Sequence, residues 1–143
     1  MRALLDVNVL IALLDAAHIH HDQAMSWLES HVGEGWASCP ITQNGCLRIM
    51  SQPAYPGALP VALVAERLAE AADQSDHEFW PDDIDMLNGD MLDWSRVLGN
   101  RQLTDAYLLA LAVRHDACLV TLDRRISIEA VKGAVSENLA VIF

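Results

Sequence analysis

Three aspartates stand where apolar runs of this chain begin or end. Asp6 interrupts "ALLDVNVLIALL", and the stretch "LTDAYLLALAVRHDACLVTLD" has Asp105 near its start and Asp123 at its close. Carboxylates gathered at one point repel one another, and one or more of them acquires a raised pKa. A divalent cation removes that conflict. Carboxylate oxygens are hard ligands of the kind Mg²⁺ and Mn²⁺ prefer, and Mg²⁺ takes one or two from a protein, with waters and substrate phosphates completing its shell. The chemistry such a site supports is phosphodiester hydrolysis: the metal orients the phosphate, activates water and stabilises the leaving oxygen. Any one of these acids would serve equally well as a helix cap favoured by the helix dipole. Only convergence of the three separates the two readings.

Convergence depends on the elements that carry them. "RALLD" reads as a short buried strand, so Asp6 falls at its C-terminal end. Val7 to Leu14 reads as a helix, and His20 to Val32 as an amphipathic one with Ala24, Trp27, Leu28 and Val32 at helical spacing. "WASC" is a second strand, followed by a helix from about Thr42 to Met50. "SQPAYPGALP" is a turn-rich loop before a helix from about Val61 to Ala72. "HEFWP" is a third strand, and Met91 to Leu98 a short helix. Thr104 is a candidate cap for a long helix ending near Arg114, which puts Asp105 in its first turn. "ACLVTLD" is a strand that ends on Asp123, and "LAVIF" is the last strand. Strands that are continuous apolar runs, alternating with helices, imply a parallel sheet covered on both faces. The expected architecture is α/β: one three-layer α/β/α domain over residues 1–143. In such a sheet, strand C-termini and helix N-termini share the edge where ligands bind.

Composition narrows the partners. The net charge is -11 and a single lysine, Lys132, is present. That counts against a general nucleic-acid-binding module, which needs many phosphate contacts, but not against an enzyme whose cation is a bound metal. Hydrophobic residues make up 52% of the chain, so high charge here does not signal disorder. Asp6 and Asn8 break the N-terminal apolar run, no small-residue cleavage site follows, and no run reaches the roughly 18 residues of a membrane span. A cytoplasmic protein without a membrane partner is expected. Cys39, Cys46 and Cys118 lack metal or redox spacing.

Four segments together carry a family resemblance. "LLDVNVLIALL", "CPITQNGCLRIMSQPAYP", "HEFWPDD" and "LTDAYLLALAVRHDACLVTLDRR" resemble, in order and spacing, the PIN-domain ribonucleases, and more narrowly VapC-type toxins of bacterial toxin–antitoxin pairs. The likeness runs from Met1 to about Arg125. It implies a Mg²⁺- or Mn²⁺-dependent endoribonuclease with RNA as substrate and an antitoxin as partner. It also implies an acidic quartet, in which Asp6, Asp105 and Asp123 match the first, third and fourth members. The second falls at Gln43, a departure, because an amide hydrogen-bonds a metal-bound water but brings no charge.

Around these acids, Asn8 and Thr121 are placed to hydrogen-bond Asp6 and Asp123 and fix their rotamers. Among the arginines, which include Arg48, Arg96 and Arg101, Arg124 and Arg125 follow Asp123 directly and are the expected RNA-phosphate contacts. "HIHH" reads as a solvated helix start, and the four tryptophans as core or interface. The acidity favours a basic antitoxin, and the apolar, alanine-rich helices favour a homodimer. Two other functions are weighed: a catalytically inactive PIN-fold protein that only binds a partner, suggested by Gln43, and a phospho-receiver domain, disfavoured because Lys132 lies away from any acidic strand end.

Overall fold

The computed structural model describes residues 1–142. Five strands, β1 (Ala3–Leu5), β2 (Trp36–Ser38), β3 (His77–Phe79), β4 (Cys118–Thr121) and β5 (Leu139–Val141), form one sheet in the order β3-β2-β1-β4-β5. Every pairing is parallel. The helices are α1 (Val7–Leu14), α2 (His21–Ser30), α3 (Pro40–Met50), α4 (Val61–Asp73) and α5 (Leu103–Arg114). The fold is thus the parallel α/β arrangement the sequence implies. Phe143, the end of the expected last strand, lies outside the described residues.

The period of two along each strand sends alternate side chains to opposite faces. Leu4, Ala37 and Leu119 join a core with α5, Trp80 and Leu92. Ala3, Leu5, Trp36 and Val120 join a second core with α1, α3 and α4. Both faces are covered, which is why the strands read as unbroken apolar runs. Helix α5 is buried from Ala106 through Ala112, so the sheet and its surroundings within one chain already cover it, without a second copy.

Several boundaries differ from the sequence reading, each for a local reason. Helix α3 starts at Pro40 rather than Thr42: proline suits the first helical position, and the Thr42 hydroxyl turns back to accept from the Cys39 N–H at 3.0 Å. Helix α2 stops at Ser30, because the chain tightens into a 3-10 turn over Val32–Glu34 and leaves it through Gly35 at φ 74°. The helix expected over Met91–Leu98 is absent apart from a turn at Trp94–Arg96. There the backbone bonds sideways instead: Asp93 N–H donates to the Ala130 carbonyl at 2.9 Å, and Leu92 bridges Val131. Thr104 does not cap α5. The helix begins one residue earlier, running on from a 3-10 turn at Asn100–Gln102, and no side chain caps it. No helix among the described residues is long and apolar enough to cross a membrane.

Candidate active site

Parallel pairing of β1 and β4, with Leu5 opposite Val120, brings the residues that follow the two strands to the same edge. Asp6 is the N-cap of α1: its Oδ1 accepts from the Val7 N–H at 2.8 Å. Its other oxygen, Oδ2, accepts from Thr121 Oγ1 at 2.7 Å. Both carboxylate oxygens are therefore fixed, and the residue is only 6% exposed.

Thr121 is the junction of this edge. While donating to Asp6, its oxygen accepts from the Asp123 N–H at 3.0 Å and faces the Asn8 amide at 3.4 Å. Asn8 Oδ1 accepts from the Leu122 N–H at 3.1 Å. Asn8 thus acts on the Asp6 and Asp123 segments through Thr121 and the β4 backbone, not by touching either carboxylate.

Asp105 reaches the same region from the first turn of α5. It lines a groove of about 560 Å³ with Asp6, Thr104, Asn44, Arg48 and Asp82. Burial, then the charges of Asp6 and Asp123, push its carboxyl up to about 6, against a weaker downward pull from Arg125. Burial also raises the Asp6 carboxyl, with Asp123 adding to the rise and the Thr121 and Val7 hydrogen bonds opposing it. The three acids therefore occupy one electrostatic neighbourhood.

Asp123 is the exception in sign. The Arg125 guanidinium and backbone hold its carboxyl below the usual range: Arg125 Nε donates to Oδ1 and an Nη to Oδ2, both at 3.1 Å. Arg125, expected to reach RNA phosphate, is folded back on the acid two residues before it. Arg124 beside it is exposed. Among the described residues, no group of three or more His, Cys, Asp or Glu side chains is placed to hold a metal ion. The acids share an edge and a field, and Asp123 has an arginine as its counter-ion. In chemistry the donors fit a hard cation, since all are carboxylate oxygens. Two of the carboxyls are raised, chiefly by burial and further by the neighbouring acids, and a bound cation would offset both effects.

Gln43 is not in this groove. Its amide donates to Ser38 Oγ at 3.0 Å, and it lines a separate cleft against Leu47, Ala65 and Leu68. The α3 residues that line the acidic groove include Asn44 and Arg48, which the sequence reading did not single out as site residues. Their i, i+4 spacing was the available signal. Asp82 was also missed: its Oδ2 accepts from the Ile41 N–H at 3.1 Å, which anchors the first turn of α3.

The histidines of "HIHH" serve the backbone. The His20 N–H donates to His18 Nδ1 at 3.1 Å, and His21 Nδ1 lies 2.7 Å from the Ala12 carbonyl oxygen. Trp36 and Trp80 are buried, whereas Trp94 is 46% exposed. Cys39 and Cys46 are buried thiols that burial pushes up to about 11.

A parallel α/β sheet with three acids at one edge defines a class, and the chain belongs to the PIN-domain family, whose model matches residues 3–132. Among its relatives are the ribonuclease VapC44 of Mycobacterium tuberculosis, 49% identical over 142 residues that cover 99% of this chain and 100% of the relative, and the ribonuclease VapC39 of the same organism, 40% identical over 94% of this chain and 98% of the relative. A crystal structure of VapBC2 from Rickettsia felis, bound to a DNA fragment from its promoter, shares the fold at TM-score 0.57 and 16% identity, over 86% of this chain and 89% of that one.

Proposed function

We infer that this chain is an endoribonuclease that hydrolyses RNA phosphodiester bonds, requires Mg²⁺ or Mn²⁺, and acts as the toxin of a toxin–antitoxin pair. The observation that carries the reading is placement: parallel pairing of β1 and β4 brings the segments of Asp6 and Asp123 to one sheet edge, and Asp105 lines the same groove as Asp6. Full-length similarity to ribonucleases of the VapC group supports it.

Asp6, Asp105 and Asp123 are the proposed metal ligands, and the bound ion would supply water activation and charge stabilisation at the phosphate. The protein's own contribution is placement. Thr121 and the Val7 N–H fix the Asp6 carboxylate, and Asn8 ties the β4 exit to α1. Asp105 stands in the first turn of α5, which is buried from Ala106 through Ala112. Arg125 holds Asp123 ionised, ready to bind a cation, and would have to yield part of that carboxylate to it. Thr104, exposed on the groove wall, and Arg124 are proposed to meet the RNA strand.

The proposed partner is a basic antitoxin, which suits a net charge of -11, and a homodimer is proposed for the free toxin. The VapBC2 complex of Rickettsia felis, which shares the fold, supports an antitoxin as partner, and the charge is the argument for its being basic.

The Arg125 clamp on Asp123 favours a second reading, in which the chain is a catalytically inactive PIN-fold protein that only binds a partner. RNA cleavage by the purified protein with Mg²⁺ or Mn²⁺, stopped by EDTA and absent in Asp6→Ala, selects the nuclease. No cleavage with either metal, together with complex formation with a basic partner, selects the binder.

A further inference from the structure

The groove that holds Asp6 and Asp105 has a wall built from α3, and that wall carries a cation, Arg48, with no counter-ion among the described residues. Asn44 and Arg48 stand four residues apart, so their side chains leave one face of the helix, roughly 6 Å apart along its axis. Both line the groove and both are exposed.

Positive charge is scarce here, with 9 Lys and Arg against 20 Asp and Glu, and much of it is spent. Arg2 pairs with Asp76 and Glu78, Arg96 with Glu129, Arg114 with Asp83 and Arg125 with Asp123. Lys132 donates to the Gly89 carbonyl. The Arg48 carbonyl accepts from Ser51 Oγ, but its guanidinium has no hydrogen bond or ion pair among the described residues. The Arg48 guanidinium thus shares a groove with the acids while remaining unpaired with them.

The backbone holds this wall close. A Cβ on Gly45 would lie 2.7 Å from Val7 Cγ2, so α3 presses on α1 at the residue after Asp6, and only glycine permits that approach. Residues on both sides of Gly45 along the exposed face of α3 are thereby held beside the acids.

We propose that Asn44 and Arg48 are the RNA-gripping wall of this site. The Arg48 guanidinium takes a backbone phosphate adjoining the scissile one through a two-pronged contact, and the Asn44 amide hydrogen-bonds the same strand. The proposal rests on the endoribonuclease reading and answers its main electrostatic difficulty: an acidic protein must attract a polyanion to a pocket of carboxylates. One unpaired arginine beside those carboxylates supplies attraction where it is needed.

The test measures single-stranded RNA binding by fluorescence anisotropy in EDTA, with the full chain carrying Asp105→Asn so that nothing is cut. Arg48→Ala should weaken binding about 10-fold and reduce the log–log salt slope by about 0.7, the value of one phosphate contact on a single strand. Arg67→Ala, which removes an exposed arginine of α4, should change neither. Arg48→Lys should restore the slope but only part of the affinity, and it also carries the test if Arg48→Ala fails to fold. In the otherwise wild-type chain with Mn²⁺, Arg48→Ala should raise KM while leaving kcat and Mn²⁺ affinity near their original values.

Unchanged RNA affinity and slope in Arg48→Ala would overturn the proposal, as would a defect confined to binding of a protein partner or of Mn²⁺. A chain that cleaves RNA with an Arg48-independent KM sinks this proposal alone. A chain that binds RNA through Arg48 but cleaves it with neither metal sinks the nuclease reading alone.

Discussion

Thr121 Oγ1 donates a hydrogen bond to Asp6 Oδ2 at 2.7 Å, joining two residues 115 positions apart in the chain. The bond is buried and ties the end of β4 to the end of β1. The same hydroxyl oxygen accepts from the Asp123 N–H at 3.0 Å, so one threonine sets the orientation of one acid and the backbone of another. Thr121→Val keeps the shape and removes both interactions. It should cost about 1–3 kcal/mol of stability, because a buried carboxylate oxygen loses its donor, and lower Mn²⁺ affinity about 10- to 100-fold, the usual loss when a ligand's supporting partner is removed. Thr121→Ser should recover most of both. Urea unfolding and metal titration read the two effects, and a Val variant with normal Mn²⁺ affinity would remove Thr121 from the site.

Asp105 makes the metal-free protein pay a cost at neutral pH. Its carboxyl sits at about 6 in the fold, raised by burial and by Asp6 and Asp123, against about 3.9 in an unfolded chain. The folded state therefore holds a proton more tightly than the unfolded state does. The stability tied to that proton is fully present below about pH 4 and is lost as pH rises through about 6. Asp105→Asn should accordingly be more stable than wild type in EDTA at pH 7.5, by on the order of 1 kcal/mol after discounting for a half-buried group, and equal to it below pH 4. Adding Mn²⁺ should raise the Tm of wild type and leave the variant's unchanged. If the variant is the less stable protein at pH 7.5 in EDTA, the electrostatic account of this site is wrong.

Arg125 and a cation compete for the same oxygens of Asp123. The arginine occupies both of them, at 3.1 Å each, yet its side chain is largely exposed. Arg125→Ala should bring the Asp123 carboxyl back up toward its ordinary value and tighten Mn²⁺ binding several-fold, since the ion no longer displaces a guanidinium. Calorimetric titration at two pH values checks this. Weaker Mn²⁺ binding in the variant would mean that Arg125 orients Asp123 for the metal and does not compete with it.

The parallel sheet was legible because buried strands leave unbroken apolar runs such as "ALL" and "CLV", and Asp6 and Asp123 were legible because each closes such a run. Asp105 was legible from its place in the first turn of a long helix. Position on α3 was harder to read. Successive helical residues point about 100° apart, so a shift of one residue decides which side chain faces the groove. The family pattern pointed to Gln43, whereas the helix turns Gln43 toward Ser38 and α4 and gives Asn44 to the groove. Asp82 and the Arg125 clamp were hidden for a different reason: each depends on where a loop returns, and no periodicity encodes that. The segment from Met91 to Leu98 shows the same limit: apart from one turn at Trp94–Arg96, it bonds to the turn around Ala130, through the Asp93 N–H to the Ala130 carbonyl and the Lys132 N–H to the Met91 carbonyl.

Gly45 offers the sharpest test of how the α3 wall is held. Replacing a helical glycine by alanine ordinarily gains about 1 kcal/mol. Here the new methyl would lie 2.7 Å from Val7 Cγ2 and 3.3 Å from Cγ1. Valine is stiff at χ1 inside a helix, so it cannot easily swing aside, and overpacking of this kind costs about 1–3 kcal/mol. The clash should win. Gly45→Ala should be destabilised despite its better helix propensity, and it should also bind RNA less well, because α3 must move away from α1 and takes Asn44 and Arg48 with it. Val7→Ala removes both methyls that the new Cβ meets. The double variant Val7→Ala/Gly45→Ala should therefore be more stable than the sum of the single changes and should regain RNA affinity. Thermal unfolding and anisotropy on the four proteins of this cycle give the coupling directly. Strict additivity would show that the contact between Val7 and Gly45 does not set the position of the wall.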